Sequence, residues 1–242
     1  MKLQLKTIIA VIITIISLSC QAEVIQKNYS NRFIVWLDNT KGGAIAFQYK
    51  PIPDTGNFKR HNNFSIDSTI PSGYQATNAK SFGRKFDRGH LAPINQFDDN
   101  VEVMSQSNYM TNILPQTTQL NRTGWLKTEM IIECLRDSDD LMVYGGAIYS
   151  DTPNKFTNQF MKSHGVQTPL AFYKIIVDST NKRSIAWLFP NDSTISNEID
   201  RFIVSIAEIN RATGFHYTGY GNQVLTVSEK VSWIIPKGCD RG

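Results

Sequence analysis

The chain has 242 residues, of which 41% are hydrophobic, 11% aromatic and 19% charged. That is ample apolar material for a core, and it excludes a disordered or collagen-like chain. The formal net charge of +4, from 25 basic and 21 acidic residues, is too mild for a protein that coats a polyanion by long-range attraction, so polyanion binding has to come from a local patch.

The first element reads as an address. Lys2 and Lys6 precede an apolar run, Ile8 to Leu18, which leads into Ser19-Cys20-Gln21-Ala22-Glu23. The run is shorter than the roughly 20 apolar residues a bilayer span needs. The pattern predicts a signal peptide over 1–22, cleaved after Ala22, and hence a secreted or periplasmic protein with no stable membrane span. Lipid attachment at Cys20 is the lesser alternative. Losing 1–22 removes two lysines and no acid, so 23 basic residues face 21 acidic ones. Cys134 and Cys239 remain, an even pair in an oxidising compartment, which favours a disulfide over two buried thiols.

No Pro-, Gly- or Ser-rich linker divides the rest, so 23–242 reads as one domain. Arg32 to Asp38 and Ala44 to Tyr49 are predicted strands joined by a turn containing Gly42-Gly43. Residues 50–85 are polar and rich in turn formers. Phe86 to Leu91 and Tyr109 to Ile113 are short strand candidates. Leu120 to Arg136 is the clearest helix. Its apolar side carries Leu126, Met130, Ile131, Cys134 and Leu135, and its polar side Arg122, Glu129, Glu133 and Arg136. Leu141 to Ile148, Ala171 to Val177 and Ser184 to Phe189 are β-rich. A second helix is predicted over 196–212, with Gly214 just past its end, and one or two strands over 224–235. Strands and helices do not alternate, which predicts an α+β fold with a mostly antiparallel mixed sheet flanked by helices.

The chemistry concentrates in Phe86-Asp87-Arg88-Gly89-His90-Leu91-Ala92-Pro93. In an extended segment Arg88 and His90 project from one face and Asp87 and Gly89 from the other. Histidine can take a proton from water near neutral pH, whereas arginine cannot act as a base there but matches phosphate oxygens with its planar fork. Tyr109 to Gln116 can form a return strand, and Leu120-Asn121-Arg122-Thr123-Gly124-Trp125 leads into the helix that carries Glu129.

In this order, Asp-Arg-Gly-His with Leu-Ala-Pro, then Asn-Ile-Leu-Pro-Gln, then Leu-Asn…Trp…Glu, the segment 86–129 resembles the DNA/RNA non-specific endonuclease family, which includes mitochondrial endonuclease G. A looser likeness reaches back to Lys59-Arg60 and Phe64. The resemblance implies a ββα-metal (His-Me finger) core and a metal-dependent endonuclease that cleaves DNA and RNA with little sequence preference, leaving a 5′-phosphate. It implies His90 as general base and Asn121 as the one direct protein ligand of a divalent cation, most often Mg²⁺, with Mn²⁺ or another dication as alternatives. Arg88 would contact the scissile phosphate, Glu129 would hold metal-bound water, and Arg60 matches an upstream arginine. Asp87 and Asn112 would support the site. On a straight helix Asn121 and Glu129 lie about 12 Å apart along the axis and about 80° apart around it, so either Glu129 acts through water or Asn121 precedes the regular turns.

Lys80, Arg84 and Lys85 form a basic cluster with Arg88 that can supply weaker phosphate contacts. Phe82 and Tyr74 fit core packing better than base stacking. His61, His164 and His216 read as surface or loop histidines, and Asp137-Ser138-Asp139-Asp140 as a solvated turn. The competing functions are a catalytically silent nucleic-acid-binding protein on the same scaffold and a phosphodiesterase for a small substrate. A homodimer and an inhibitor protein are both compatible with the sequence.

Overall fold

The computed structural model describes residues 23–217, 219–220, 223–224 and 229–239. The leader expected over 1–22, with Cys20, and residues 225–228 of the predicted tail strands lie outside the described residues.

Six strands make the main sheet in the order β1 (Val24–Tyr29), β2 (Phe33–Asp38), β3 (Gly43–Tyr49), β6 (Leu141–Ile148), β7 (Ala171–Asp178) and β8 (Arg183–Pro190). Every pairing in it is antiparallel. Among the described residues the isolated bridge Ser65–Tyr109 is parallel. Strand β1 was not expected from the sequence. Its Val-Ile-Gln-Lys-Asn-Tyr run alternates exposed and half-buried positions, as an edge strand does.

Between β3 and β6 the chain builds the ββα unit. Strand β4 (Phe86–His90) pairs with β5 (Ile113–Thr117), His90 opposite Ile113 and Asp87 opposite Gln116. The return strand therefore starts at Ile113. The predicted strand over 109–113 is instead a 3₁₀ turn, Met110–Asn112, followed by β5. A Cβ on Gly89 would sit 2.6 Å from the Cβ of Gln116, an atom fixed to the backbone of β5, so the two strands pair this closely with glycine there. The 22 residues linking the strands hold a 3₁₀ turn (Ile94–Phe97) and α1 (Val101–Ser107), whose N-cap Asn100 accepts from the backbone N–H of Glu102 and Val103.

After β5, a single turn α2 (Thr118–Leu120) runs into a π turn (Asn121–Trp125) and then α3 (Leu126–Leu135). The predicted polar side of this helix needs correcting. Glu133 and Arg136 are buried, and Arg136 pairs with both Glu133 and Asp54. Leu126, expected inward, is 43% exposed. The loop carrying Asp54 and the turn carrying Gln96, which donates to Glu133, cover what would otherwise be a solvated face.

The two sides of the sheet bury different partners. Phe47 and Phe172 pack against Trp125 of the π turn on one side. Tyr173, Ile175 and Val177 form a separate cluster with Ile206 and Ile209 on the other. Helix α4 (Met161–His164) lies in the connection before β7, and His164 there is buried against Phe82 and Phe160 rather than at the surface. The helix predicted over 196–212 is broken. A 3₁₀ turn (Ile199–Phe202) ends at Ile203, which bridges to Trp187, and α5 (Ile206–Thr213) starts at a Ser205–Glu208 capping box and ends at Gly214. Strands β9 (Gly219–Tyr220) and β10 (Gln223–Val224) form a small pair, and residues 229–235 carry no strand. Cys134 on α3 is disulfide-bonded to Cys239, as expected, with Cα atoms 5.5 Å apart. No described helix is long and apolar enough to cross a membrane.

Candidate active site

Strand β4, the π turn and α3 meet at a cavity of about 200 Å³ lined by Arg60, Arg88, His90, Asn121, Arg122 and Glu129, with Asn95 and Leu126 at its edge. The alternation read from the sequence holds, because Arg88 and His90 reach the same space.

His90 is 8% exposed. Its Nε2 lies 2.8 Å from Oδ1 of Asn108, the residue that ends α1. Both N–H groups of the Asn108 amide are already committed, to the His61 carbonyl and to Oδ1 of Asn63. Oδ1 is therefore the acceptor, Nε2 of His90 carries the proton, and among the described residues nothing bonds the Nδ1 lone pair. Burial pushes the His90 pKa down to about 4; the Asn108 bond raises it, while the Arg60 and Arg88 charges lower it further. The imidazole is thus neutral at pH 7, the form a base requires. Asn112 is fully buried and brackets the backbone just after His90. Its amide bonds both the N–H and the C=O of Ala92 and the carbonyl of Ser107.

Asn121 is fixed from the other side. Its Nδ2 donates to Asp87 at 3.0 Å, and the same carboxylate accepts two bonds from Arg122 at 2.8 and 2.9 Å. Asp87 thereby sets which way the Asn121 amide faces. Among the described residues nothing donates to its Oδ1. The π turn removes the mismatch with Glu129. Such a turn holds one residue more than an α turn, so eight steps behave as seven and leave about 20° of rotation over two turns. Asn121 and Glu129 consequently share one face and one cavity. The turn packs tightly, since a Cβ on Gly124 would lie 2.7 Å from Ile195.

Arg88 is held by stacking over Phe64 at 3.8 Å, and it donates to the Ala79 carbonyl and to Asn62. Phe64 also packs on the His90 ring. Burial raises the Glu129 carboxyl pKa, opposed by the charges of Lys174 and Arg60. Below the cavity, Trp125 donates its indole N–H to the His90 carbonyl at 3.0 Å. An adjoining pocket of about 450 Å³ is lined by Arg84, Arg88, Arg122 and Asn121. Lys80 and Lys85, grouped with Arg84 in the sequence, are exposed and line neither space.

The structure thus brings together His90, Arg88, Arg60, Asn121 and Glu129, with Asp87 and Asn112 as supports. It adds Asn108, Arg122, Trp125 and Lys174. Nothing in the Ser-Asn-Tyr around Asn108 signalled its bond to the imidazole. Lys174, by contrast, stands out as a charge inside the apolar run Ala-Phe-Tyr-Lys-Ile-Ile-Val.

The donor set suits a hard cation. Among the described residues no group of three or more His, Cys, Asp or Glu could cage a metal. A carboxamide oxygen with its nitrogen tied back, beside a carboxylate in the same cavity, matches an ion that keeps most of its waters.

Comparisons with known proteins agree with this architecture. The family model for DNA/RNA non-specific endonuclease matches residues 14–223. A nuclease of the cyanobacterium Nostoc is 30% identical over 202 residues, covering 77% of this chain and 71% of the relative. Human mitochondrial endonuclease G is 28% identical, covering 64% of this chain and 56% of its own length. The nuclease of Serratia marcescens is 25% identical over 93% of this chain and 84% of the relative. A crystal structure of EndoG in complex with EndoGI superposes with a TM-score of 0.66 at 21% identity, covering 79% of this chain and 84% of the other. The chain spans about half the length of several mitochondrial relatives it matches. With a ββα unit that places histidine, asparagine and two arginines around one cavity, and a match over most of its length, the chain belongs to the DNA/RNA non-specific endonuclease family of hydrolases.

Proposed function

We propose that the protein is a secreted endonuclease that hydrolyses phosphodiester bonds of DNA and RNA with a divalent cation of the Mg²⁺ class. The observation that carries this reading is the convergence of a neutral imidazole and a pre-oriented carboxamide oxygen on one cavity flanked by arginines.

Each residue then has a task that its surroundings fit. His90 accepts a proton from the attacking water at Nδ1, because Asn108 holds the proton at Nε2. Arg88 and Arg60 supply fixed positive charge to the phosphate oxygens as they gain negative charge. Asn121 would hold the cation through Oδ1, and Glu129 would accept hydrogen bonds from the water around it. When bound, the cation supplies Lewis-acid stabilisation of the phosphoryl oxygens and of the departing 3′-oxygen. Recognition rests on arginines and backbone phosphates rather than base edges, which accounts for weak sequence preference. The adjoining pocket with Arg84 and Arg122 leaves room for a polymer to continue, which favours nucleic acid over a small diester.

Export through the 1–22 leader fits the Cys134–Cys239 bond, since disulfides persist in oxidising compartments. The test is to incubate the purified mature chain with plasmid DNA and with RNA, each with Mg²⁺ and with EDTA. Cleavage of both that stops in EDTA and in His90→Ala supports the proposal. Binding without cleavage in Mg²⁺ would favour the silent scaffold instead.

A further inference from the structure

Strand β7 is buried on both faces, yet it carries a lysine at its centre. Lys174 is 0% exposed. Its Nζ sits 3.7 Å over the indole of Trp125. Among the described residues no acceptor lies within hydrogen-bond distance of it. Its one ion pair there is with Glu129, at 4.0 Å. Burial lowers the Lys174 pKa to about 8, so the amine is still largely charged at neutral pH.

Such a residue is a poor choice for stability alone. Removing an ammonium from water is costly, and one long ion pair with one aromatic face returns only part of that cost. A methionine or leucine would fill the same space without the penalty. The neighbours on that face, Phe172 and Ile176, are apolar. Among the described residues the only carboxylate paired with the charge belongs to the site, because Glu129 lines the same cavity as His90 and Asn121. The indole beneath the amine also holds the His90 carbonyl. Lys174, Trp125 and Glu129 therefore form a floor under the residues that face the substrate.

We propose that Lys174 is a positioning residue that anchors the Glu129 carboxylate from below and keeps it aimed into the cavity. It touches neither substrate nor cation and acts only through Glu129. The inference rests on the role given to Glu129 above.

The test is a double-mutant cycle with Lys174→Met, Glu129→Gln and the pair, measured on a short DNA duplex at saturating Mg²⁺. Lys174→Met is expected to lower kcat by about 10–100-fold with KM nearly unchanged, the usual effect of losing a residue that orients a metal-site group. The double variant should fall no further than Glu129→Gln alone. Losses that multiply, or a wild-type kcat in Lys174→Met, would overturn the proposal. A second readout is independent of turnover. A crystal structure of Lys174→Met should show the Glu129 carboxylate turned out of the cavity, and an unmoved Glu129 would also overturn the proposal. Where Met is not tolerated, Lys174→Gln takes its place in both measurements. A wild type that cleaves nothing would reject the proposed function, and the crystal comparison would still decide the role of Lys174.

Discussion

Lowering the pH titrates one residue whose effect can be worked from the structure. Burial holds the His90 pKa near 4 in the folded protein, against 6.5 for a free histidine. At pH 5 about nine tenths of a group with the lower value is neutral, but only a few hundredths of one with the ordinary value, a difference of roughly 30-fold. If His90 is the base, cleavage should persist to about pH 5 and be lost only near pH 4. The same shift affects stability. Between pH 6.5 and 4 the unfolded chain binds a proton that the folded chain refuses. The folded state is therefore fully favoured above 6.5 and loses stability as the pH falls, by ~3 kcal/mol in all at about 1.4 kcal/mol per pH unit. The assay is kcat/KM on a short duplex between pH 4 and 8, alongside urea melts of the wild type and His90→Gln. Glu129 is also raised by burial, so the rate profile is taken in a Glu129→Gln background. Glu133, pushed up to about 7, titrates alike in the proteins compared and cancels from the melts. A rate falling by half near pH 6.5, or equal acid sensitivity of wild type and His90→Gln in the melts, would show that burial does not hold His90 neutral.

Removing the Asp87 carboxylate should free the Asn121 amide to turn. Asp87→Ala is therefore expected to raise the Mn²⁺ concentration needed for half-maximal cleavage by about 10-fold or more, while a titration that overlays the wild type would show that the tether is idle. Reducing the Cys134–Cys239 bond opens a link between residues 105 apart, and urea melts with and without dithiothreitol should differ by about 2–4 kcal/mol. Because Cys134 sits on α3, which also carries Glu129, activity should fall in the same range of urea as the fold. Arg84→Ala should weaken binding of all DNA sequences alike and reduce the slope of log affinity against log salt by about 1, as expected for one lost phosphate contact. A sequence-dependent loss would instead place Arg84 against a base edge.

The site was legible where chemistry and strand alternation coincide. Arg88 and His90 fall on one side of β4 because a strand has a period of two, and Asp-Arg-Gly-His with a downstream Asn and Glu carries the family pattern. The long apolar strands β6 to β8 were legible for the same reason that they are central. The rest depended on tertiary contacts. The Asn121-to-Glu129 spacing conflicts with a regular helix, and the π turn that places Asn121 before the regular turns reconciles it. That turn depends on Gly124 packing against Ile195 and Phe189 from distant parts of the chain. Glu133 and Arg136 read as a solvated face because the polar segment that covers them has no periodicity of its own. The break before α5 did have a local signal, the Ser205-x-x-Glu208 box, which the apolar periodicity of 199–209 masked. Asn108 acts through a fold-dependent meeting of the end of α1 with β4, which no local pattern encodes.

The central claim is that the Asn121 oxygen and the free nitrogen of His90 face one hydrated dication. Anomalous diffraction from crystals soaked in Mn²⁺ tests it most directly. A single peak is expected within about 2.3 Å of Asn121 Oδ1, in the cavity shared with His90 and Glu129. A peak held by other residues, or none at a Mn²⁺ concentration that saturates cleavage, would contradict it.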